Sequence, residues 1–300
     1  MKKVLKWIGI VLGSLIGMLL VAVLVLYLKG NAQLNKIYDF PPSNLTIPTD
    51  AESIARGEHL VKTICQGCHG EDLSGREDFF DGGPLGTIQS ANITSGEGGV
   101  GQYFTDEDYV RAIRHGIGPD GKFIFMPGVY STSYLSDEDL ASIIAYVKTV
   151  PPIDHVTNGH NFKPLGKILI AIGGILPPMP VEVVSHDVHV TAPPAGVTVE
   201  YGSYIVDTHD CRVCHGQTMN GNKFPDPTIK IITPNLTPSG DLSTWTEESF
   251  INTIRTGVTP HGHQLSDNMP WKDFRNMNDD ELKVVWAYLQ SLPPMDQYVP

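Results

Sequence analysis

Cys65-Gln66-Gly67-Cys68-His69-Gly70 and Cys211-Arg212-Val213-Cys214-His215-Gly216 together hold all four cysteines of the 300-residue chain. Gly57-Glu58-His59-Leu60-Val61 precedes the first stretch and Gly202-Ser203-Tyr204-Ile205-Val206 the second. The likeness continues downstream. Asn92-Ile93-Thr94 answers Asn235-Leu236-Thr237, and Phe104-Thr105-Asp106-Glu107 answers Trp245-Thr246-Glu247-Glu248. Each of the latter pair reads as a helix start, with a threonine N-cap and acids in the first turn. The helices run through Tyr109–Arg114 and Phe250–Arg255 and meet their C-terminal stops at Gly116 and Gly257. Met126-Pro127 and Met269-Pro270 follow. The last helices open at Ser136-Asp137-Glu138-Asp139 and Asn278-Asp279-Asp280-Glu281. Leu140, Ile143, Ile144 and Val147, like Leu282, Val285, Trp286 and Leu289, fall at helical spacing. The offset between copies is 146 at the cysteines, 141 at the threonine caps and 142 at the closing proline pairs. A register held so long marks an internal repeat. The sequence predicts a mainly α chain with two tandem helical domains, 50–152 and 198–296, joined by a linker over 153–197.

C-x-x-C-H is the attachment motif of c-type haem. One helical turn brings both thiols and the histidine to one side of a macrocycle, the thiols as thioethers and the histidine beneath the iron. Gly70 and Gly216 permit the tight bend that follows. A redox dithiol or half of a zinc site would also use CxxC. A zinc site needs further ligand pairs and no other cysteine exists, while a thioredoxin-like motif wants a βαβ setting that is missing. Cys65, Cys68, Cys211 and Cys214 are thus expected to bind two haem c groups, with His69 and His215 as iron ligands, and no thiol remains for a disulfide.

Methionine opposite histidine raises the haem potential and suits electron transfer. Met126 is the one methionine between His69 and Pro152, and Met269 stands at the matching point of the second copy. Both are expected sixth ligands. Met219 lies too close to His215 to reach round the ring, and Met277 sits out of repeat. The rivals are His115 for the first haem and His261 or His263 for the second. Asn92, Thr94, Asn235 and Thr237 could hydrogen-bond haem propionates and Arg114 and Arg255 could offset their charge; a turn and a solvated helix face are the plain alternatives.

Trp7 to Leu28 is an uncharged run long enough for a bilayer core. Lys2, Lys3 and Lys6 precede it, which predicts a single-pass anchor with its N-terminus in the cytoplasm and the rest on the outer, periplasmic side. The run is too long for a signal peptide and ends in Leu26-Tyr27-Leu28-Lys29, without a small-residue cleavage site. The net charge of −12 leaves a strongly acidic body once the basic N-terminus is set aside, which excludes nucleic-acid binding. In the linker, prolines forbid a long helix, Val181–Val184 and Val188–Val190 are expected to be extended, and the apolar stretch Leu165–Leu176 to pack on a domain face or dip into the membrane surface.

Gly57…Cys65-x-x-Cys68-His69-Gly70, the Asn-x-Thr turn and Met126-Pro127, with their second set, resemble the class I cytochrome c superfamily in membrane-bound form. The nearest likeness is to cytochrome subunits of membrane-bound alcohol and gluconate dehydrogenases, which generally carry three C-x-x-C-H motifs where this chain has two. The resemblance implies two cytochrome c-like domains after one transmembrane helix. It further implies electron transfer, without catalysis, from a periplasmic dehydrogenase or cytochrome to an oxidase or cytochrome of the respiratory chain. A dihaem peroxidase, with one open coordination site, is the alternative.

Overall fold

The anchor run lies within one uninterrupted helix, α1 (Lys2–Leu34), which is long and apolar enough to cross a membrane. The structure, a computed structural model, describes residues 2–173, 176, 178–223 and 230–299. Its first domain opens with α2 (Ala51–Leu60), whose N-cap Asp50 accepts from the Ser53 amide. The helix widens into a π turn, Val61–Cys65, and continues as α3 (Gln66–His69). Strands β1 (Arg76–Asp81) and β2 (Gly86–Ser90) form an antiparallel hairpin. Then come α4 (Asp106–Val110) with a π turn over Arg111–His115, α5 (Val129–Thr132) and α6 (Asp137–Val147). The linker supplies β3 (His160–Phe162), paired to β2, and α7 (Pro164–Ile172). The second domain repeats the plan with α8 (Val199–Thr208), α9 (Cys211–His215), α10 (Glu247–Thr256), α11 (Trp271–Phe274) and α12 (Asp279–Ser291).

The expected caps are present. Thr105 and Thr246 open α4 and α10 with reciprocal capping boxes, Asn278 does the same for α12, and Ser136 caps α6. Gly116 and Gly257 take the left-handed conformation at φ 70° and 73°. In each domain the first helix crosses the last at the glycine that begins the repeat. A Cβ on Gly57 would stand 1.9 Å from the Ser142 carbonyl oxygen, and one on Gly202 2.2 Å from that of Val284. Any side chain there would push the crossing helices apart, so backbone contact explains the paired glycines. Around the crossings lie two apolar cores, one with Leu60, Leu140 and Ile144, the other with Ile205, Leu282 and Leu289.

The linker departs from expectation. Pro180–Glu182 forms a 3-10 turn in which the Val183 and Val184 amides both bond the Pro180 carbonyl, so Val181–Val184 is not extended. The linker strand lies earlier, at β3. Pro164 is tolerated in the first turn of α7, where its missing N–H costs no bond. The apolar stretch Leu165–Leu176 packs through α7 along the end of α1, at the half-buried or buried residues Leu26, Tyr27, Gly30 and Leu34. Gly174 and Ile175 of that stretch, and Pro177 beyond it, lie outside the described residues.

The two domains meet across a pseudo-two-fold interface. His59 of α2 donates to Glu281 of α12 at 2.7 Å, and Tyr204 of α8 donates to Asp139 of α6 at 2.7 Å. By the repeat, Tyr204 answers His59 and Glu281 answers Asp139, so one contact is made twice with exchanged chemistry. Such reciprocity is the mark of an isologous contact. Arg56 joins the two halves, with two bonds to Asp139 at 2.8 and 3.1 Å and one to Glu281 at 3.2 Å.

Candidate haem sites

Each C-x-x-C-H turn carries its histidine in the same way. The His69 Nδ1 lies 2.8 Å from the Ala91 carbonyl, and the His215 Nδ1 3.0 Å from that of Pro234. Ala91 and Pro234 each stand just before an Asn-x-Thr turn, so the repeat fixes both carbonyls. An Nδ1–H donated to a carbonyl leaves Nε2 with its lone pair free for a metal, the usual way a ligating histidine is oriented. Burial lowers the basicity of both imidazoles, which keeps them in the neutral form a metal requires. Gly70 and Gly216 follow at φ 84° and 80°, the bend the sequence predicted.

The cysteines are free thiols. Burial pushes Cys65 and Cys211 up to about 12, and Cys68 and Cys214 up to about 11. A redox dithiol works through a lowered pKa, so these microenvironments oppose that alternative.

In the second domain Cys211, Cys214, His215 and Met269 line one cavity of about 830 Å³. That volume lies at the upper end of small-molecule sites, and its walls are dominated by core residues such as Phe250, Leu282 and Leu289. Its size, apolar walls and ligand set fit a haem. Met269 is half-buried, and its carbonyl accepts from the Trp271 amide at 2.7 Å; Met126 is half-buried, with its carbonyl accepting from the Val129 amide at 3.1 Å. Both methionines are thus held in turns that lead into α11 and α5. Met219 also lines the cavity, but it is buried with a positive φ, and so is Leu73 at the matching place. A leucine counterpart identifies a core position. His115 is buried beneath Phe40, its Nδ1 3.1 Å from that of His186, and burial lowers it to about 4. It is engaged elsewhere as a neutral ring. His263 reaches the cavity wall from an exposed loop, and His261 is not among the lining residues.

The polar residues offered as propionate partners have other work. Asn92 Nδ2 donates to the Ile153 and His155 carbonyls, and Asn235 Nδ2 to that of Met295. Each Asn-x-Thr turn staples the segment that follows the proline pair. Arg114 is wholly buried and donates to the Leu135 and Val188 carbonyls, while Arg255 donates to those of Arg275 and Met277. Both arginines clamp the loop ahead of the last helix. Trp271, two residues past Met269, leaves its indole N–H buried without a partner among the described residues.

The sites face one another across the interface. The haem-attachment turn of each domain packs on the short helix beyond the other domain's Met-Pro. A Cβ on Gly67 would stand 2.3 Å from a carboxylate oxygen of Asp273 in α11. Asp210, beside Cys211, accepts from the Ser131 hydroxyl of α5, and burial pushes its carboxyl up to about 6. His209, on the cavity wall, lies 3.2 Å from the Thr63 hydroxyl just ahead of Cys65. Pro127, adjoining Met126, completes the wall of the second cavity. These cross-domain contacts join residues about 80 to 210 apart in the chain, and no sequence pattern reveals them.

Residues 52–147 match the family model described as cytochrome c oxidase, cbb3-type, subunit III, and residues 199–293 the one described as cytochrome c. The chain is similar to the fructose dehydrogenase cytochrome subunit of Gluconobacter japonicus, at 28% identity over 83% of this chain and 55% of that one. It is similar to the cytochrome c subunit of alcohol dehydrogenase (quinone) of Gluconobacter oxydans, at 26% over 83% and 56%. A diheme cytochrome c-type protein of Cereibacter sphaeroides matches at 27% over 81% and 86%. The chain thus spans little more than half the length of the first two relatives. Both of its halves are cytochrome c domains, and haem c, one group for each C-x-x-C-H motif, is the cofactor.

Proposed function

We propose that the chain is a membrane-tethered electron carrier with two closed haem sites. Cys65 and Cys68, and Cys211 and Cys214, would hold the cofactors as thioethers, and His69 with Met126 would ligate the iron of one and His215 with Met269 that of the other. The observation that carries this reading is the matched pair of histidines, each with Nδ1 tied to a backbone carbonyl and a Met-Pro turn at the same place in its repeat. Haem c supplies reversible one-electron chemistry, and a histidine–methionine pair sets it at a raised potential. The protein's own part is to hold neutral imidazoles, exclude water with apolar walls, and set the two sites against each other. The unpaired Trp271 N–H is a donor for a haem carboxylate. The helix α1 keeps the carrier beside integral partners and raises its effective concentration there. The three lysines before the span assign the N-terminus to the cytoplasm and both domains to the periplasmic side.

In this reading the chain relays electrons from a periplasmic dehydrogenase or cytochrome to the respiratory chain; its similarity to cytochrome subunits of a fructose dehydrogenase and of a quinone alcohol dehydrogenase supports a dehydrogenase as the donor. Carbon monoxide added to the reduced protein, followed by its absorption spectrum, tests the closed sites. Both spectra should stay unchanged, Met126→Ala and Met269→Ala should each open one site to the gas, and the potential of that site should fall. Rapid binding of carbon monoxide or turnover of hydrogen peroxide by the unaltered protein would instead establish the peroxidase alternative.

A further inference from the structure

All 33 acidic residues of the chain fall within 39–154 and 182–300. The two acid-free stretches, 1–38 and 155–181, are the ones that pack together in space. They meet where α7 lies along the end of α1. Gly30 makes the closest approach, since a Cβ there would stand 1.8 Å from the Lys167 carbonyl oxygen. Lys29 Nζ donates to the Ala171 carbonyl at 2.8 Å, and Lys167 Nζ to Asn31 Oδ1 at 2.8 Å. The α1 residues covered by α7 run from Leu26 to Leu34. The uncharged run extends to Leu28, so the part of α1 covered by α7 starts at the level of the span's last three residues and ends about 9 Å above it. Both its ends show large apolar side chains, with Leu165 43% and Ile172 50% exposed, and Ile37 beyond α1 is 69% exposed. No described residue covers this face, whereas a bilayer surrounding α1 would cover it at this depth.

We propose that α7 is a second membrane contact, seated at the boundary of headgroups and acyl chains in the leaflet where α1 emerges. The occupant is phospholipid, and the surface is continuous with that of the spanning helix. Interfacial helices bury an apolar face to about this depth, and the absence of carboxylates from the whole contact removes repulsion from anionic headgroups. The first domain is then the one next to the bilayer. Phe125, which adjoins Met126, packs its ring 5.9 Å from Phe162 at the foot of α7, and Tyr130 donates to the Pro178 carbonyl.

The proposal rests on α1 spanning a membrane, and one experiment separates the two. The full chain with both haems is placed in phosphatidylcholine–phosphatidylglycerol vesicles containing a phosphatidylcholine that bears a photoactivated diazirine near the headgroup end of its acyl chain. Adducts are then mapped by mass spectrometry. Adducts are expected on α1 near Leu26–Leu28 and on α7 at Leu165 and Ile172, at least about tenfold above those on α12. Adducts on α1 with none on α7 overturn the proposal, and none on either helix overturns the membrane reading beneath it. Leu165→Glu with Ile172→Glu, at unchanged haem content, should abolish the α7 adducts and leave those on α1.

Discussion

The first domain ends in the linker, with the segment after its proline pair stapled by Asn92 and leading on to β3 and α7. The second ends in a tail stapled by Asn235, with Gln297 donating to the Thr233 carbonyl and accepting from the Asn235 amide. Between the attachment turn and the Asn-x-Thr turn the first domain carries a hairpin that borrows a third strand from the linker. In the same interval the second has only an isolated bridge, between Lys223 and Ile232, among its described residues. At the shared interface the same positions hold histidine with glutamate on one side and tyrosine with aspartate on the other. The cofactor machinery, by contrast, is alike to within tenths of an ångström at the proximal histidines. The difference teaches where the duplicated plan is constrained: at the haem and at the helix crossing, and not in the connections.

The strongest way to break the comparison is to remove one cofactor at a time. Cys65→Ser with Cys68→Ser, and Cys211→Ser with Cys214→Ser, should each lower covalent haem from two to one per chain by the pyridine haemochrome assay. Each should also unfold the altered domain, because the haem fills its core. Unequal losses would show that the copies are not equivalent.

The clasp offers a sharper contrast. Glu281→Ala removes the partner of His59, a partner of Arg56 and the side chain that closes the α12 capping box. A cost of about 3–5 kcal/mol is expected, as for other broken buried ion pairs. Asp139→Ala should cost about as much by stranding Arg56 and Tyr204, and chemical denaturation compares the two. The acid response should distinguish them. Burial alone would raise the Glu281 carboxyl, but the hydrogen bond and charge of His59 outweigh it and hold the carboxyl at about 2. A depressed carboxylate stabilises the fold above its unfolded value of about 4.3, and that stability, on the order of 3 kcal/mol, is lost as pH falls towards 2. Thermal unfolding between pH 5 and 2 (roughly the window of that titration) should therefore be steeper for the unaltered protein than for Glu281→Gln.

The smallest effects are expected at the crossings. Gly57→Ala and Gly202→Ala each force a methyl group against a carbonyl oxygen and should cost roughly 1–3 kcal/mol. The closer approach at Gly57 makes it the more damaging of the two, a difference that thermal melting would read.

Much of this plan was legible in the sequence because it is local. A C-x-x-C-H turn, a threonine followed by acids and a glycine stop each declare themselves within a few residues. The repeat then supplied what a single motif lacks, pairing Met126 with Met269, whereas Met219 was set aside for its closeness to His215 and only the structure shows it as the counterpart of Leu73. What stayed hidden was set by partners far off in the chain. Asn92 and Arg114 look like ligand-binding residues until their amide and guanidinium donors are found on carbonyls dozens of residues away. The Arg56–Glu281 contact spans 225 residues, and β1 offers no clean alternation to announce it, with Phe79 and Phe80 adjacent. Val181–Val184 has the composition of a strand, yet Pro180 fixes a turn with its own carbonyl.

Pro127 belongs to the first domain but finishes the wall of the second domain's cavity. A ribosome delivers the chain from its N-terminus, so this wall is made before the chamber that needs it. Swapping the order of the two units in a gene would leave every residue in place and still reverse that timetable, making the late half wait on a surface not yet translated. Duplication gave the molecule two similar halves, and one proline gives them a birth order.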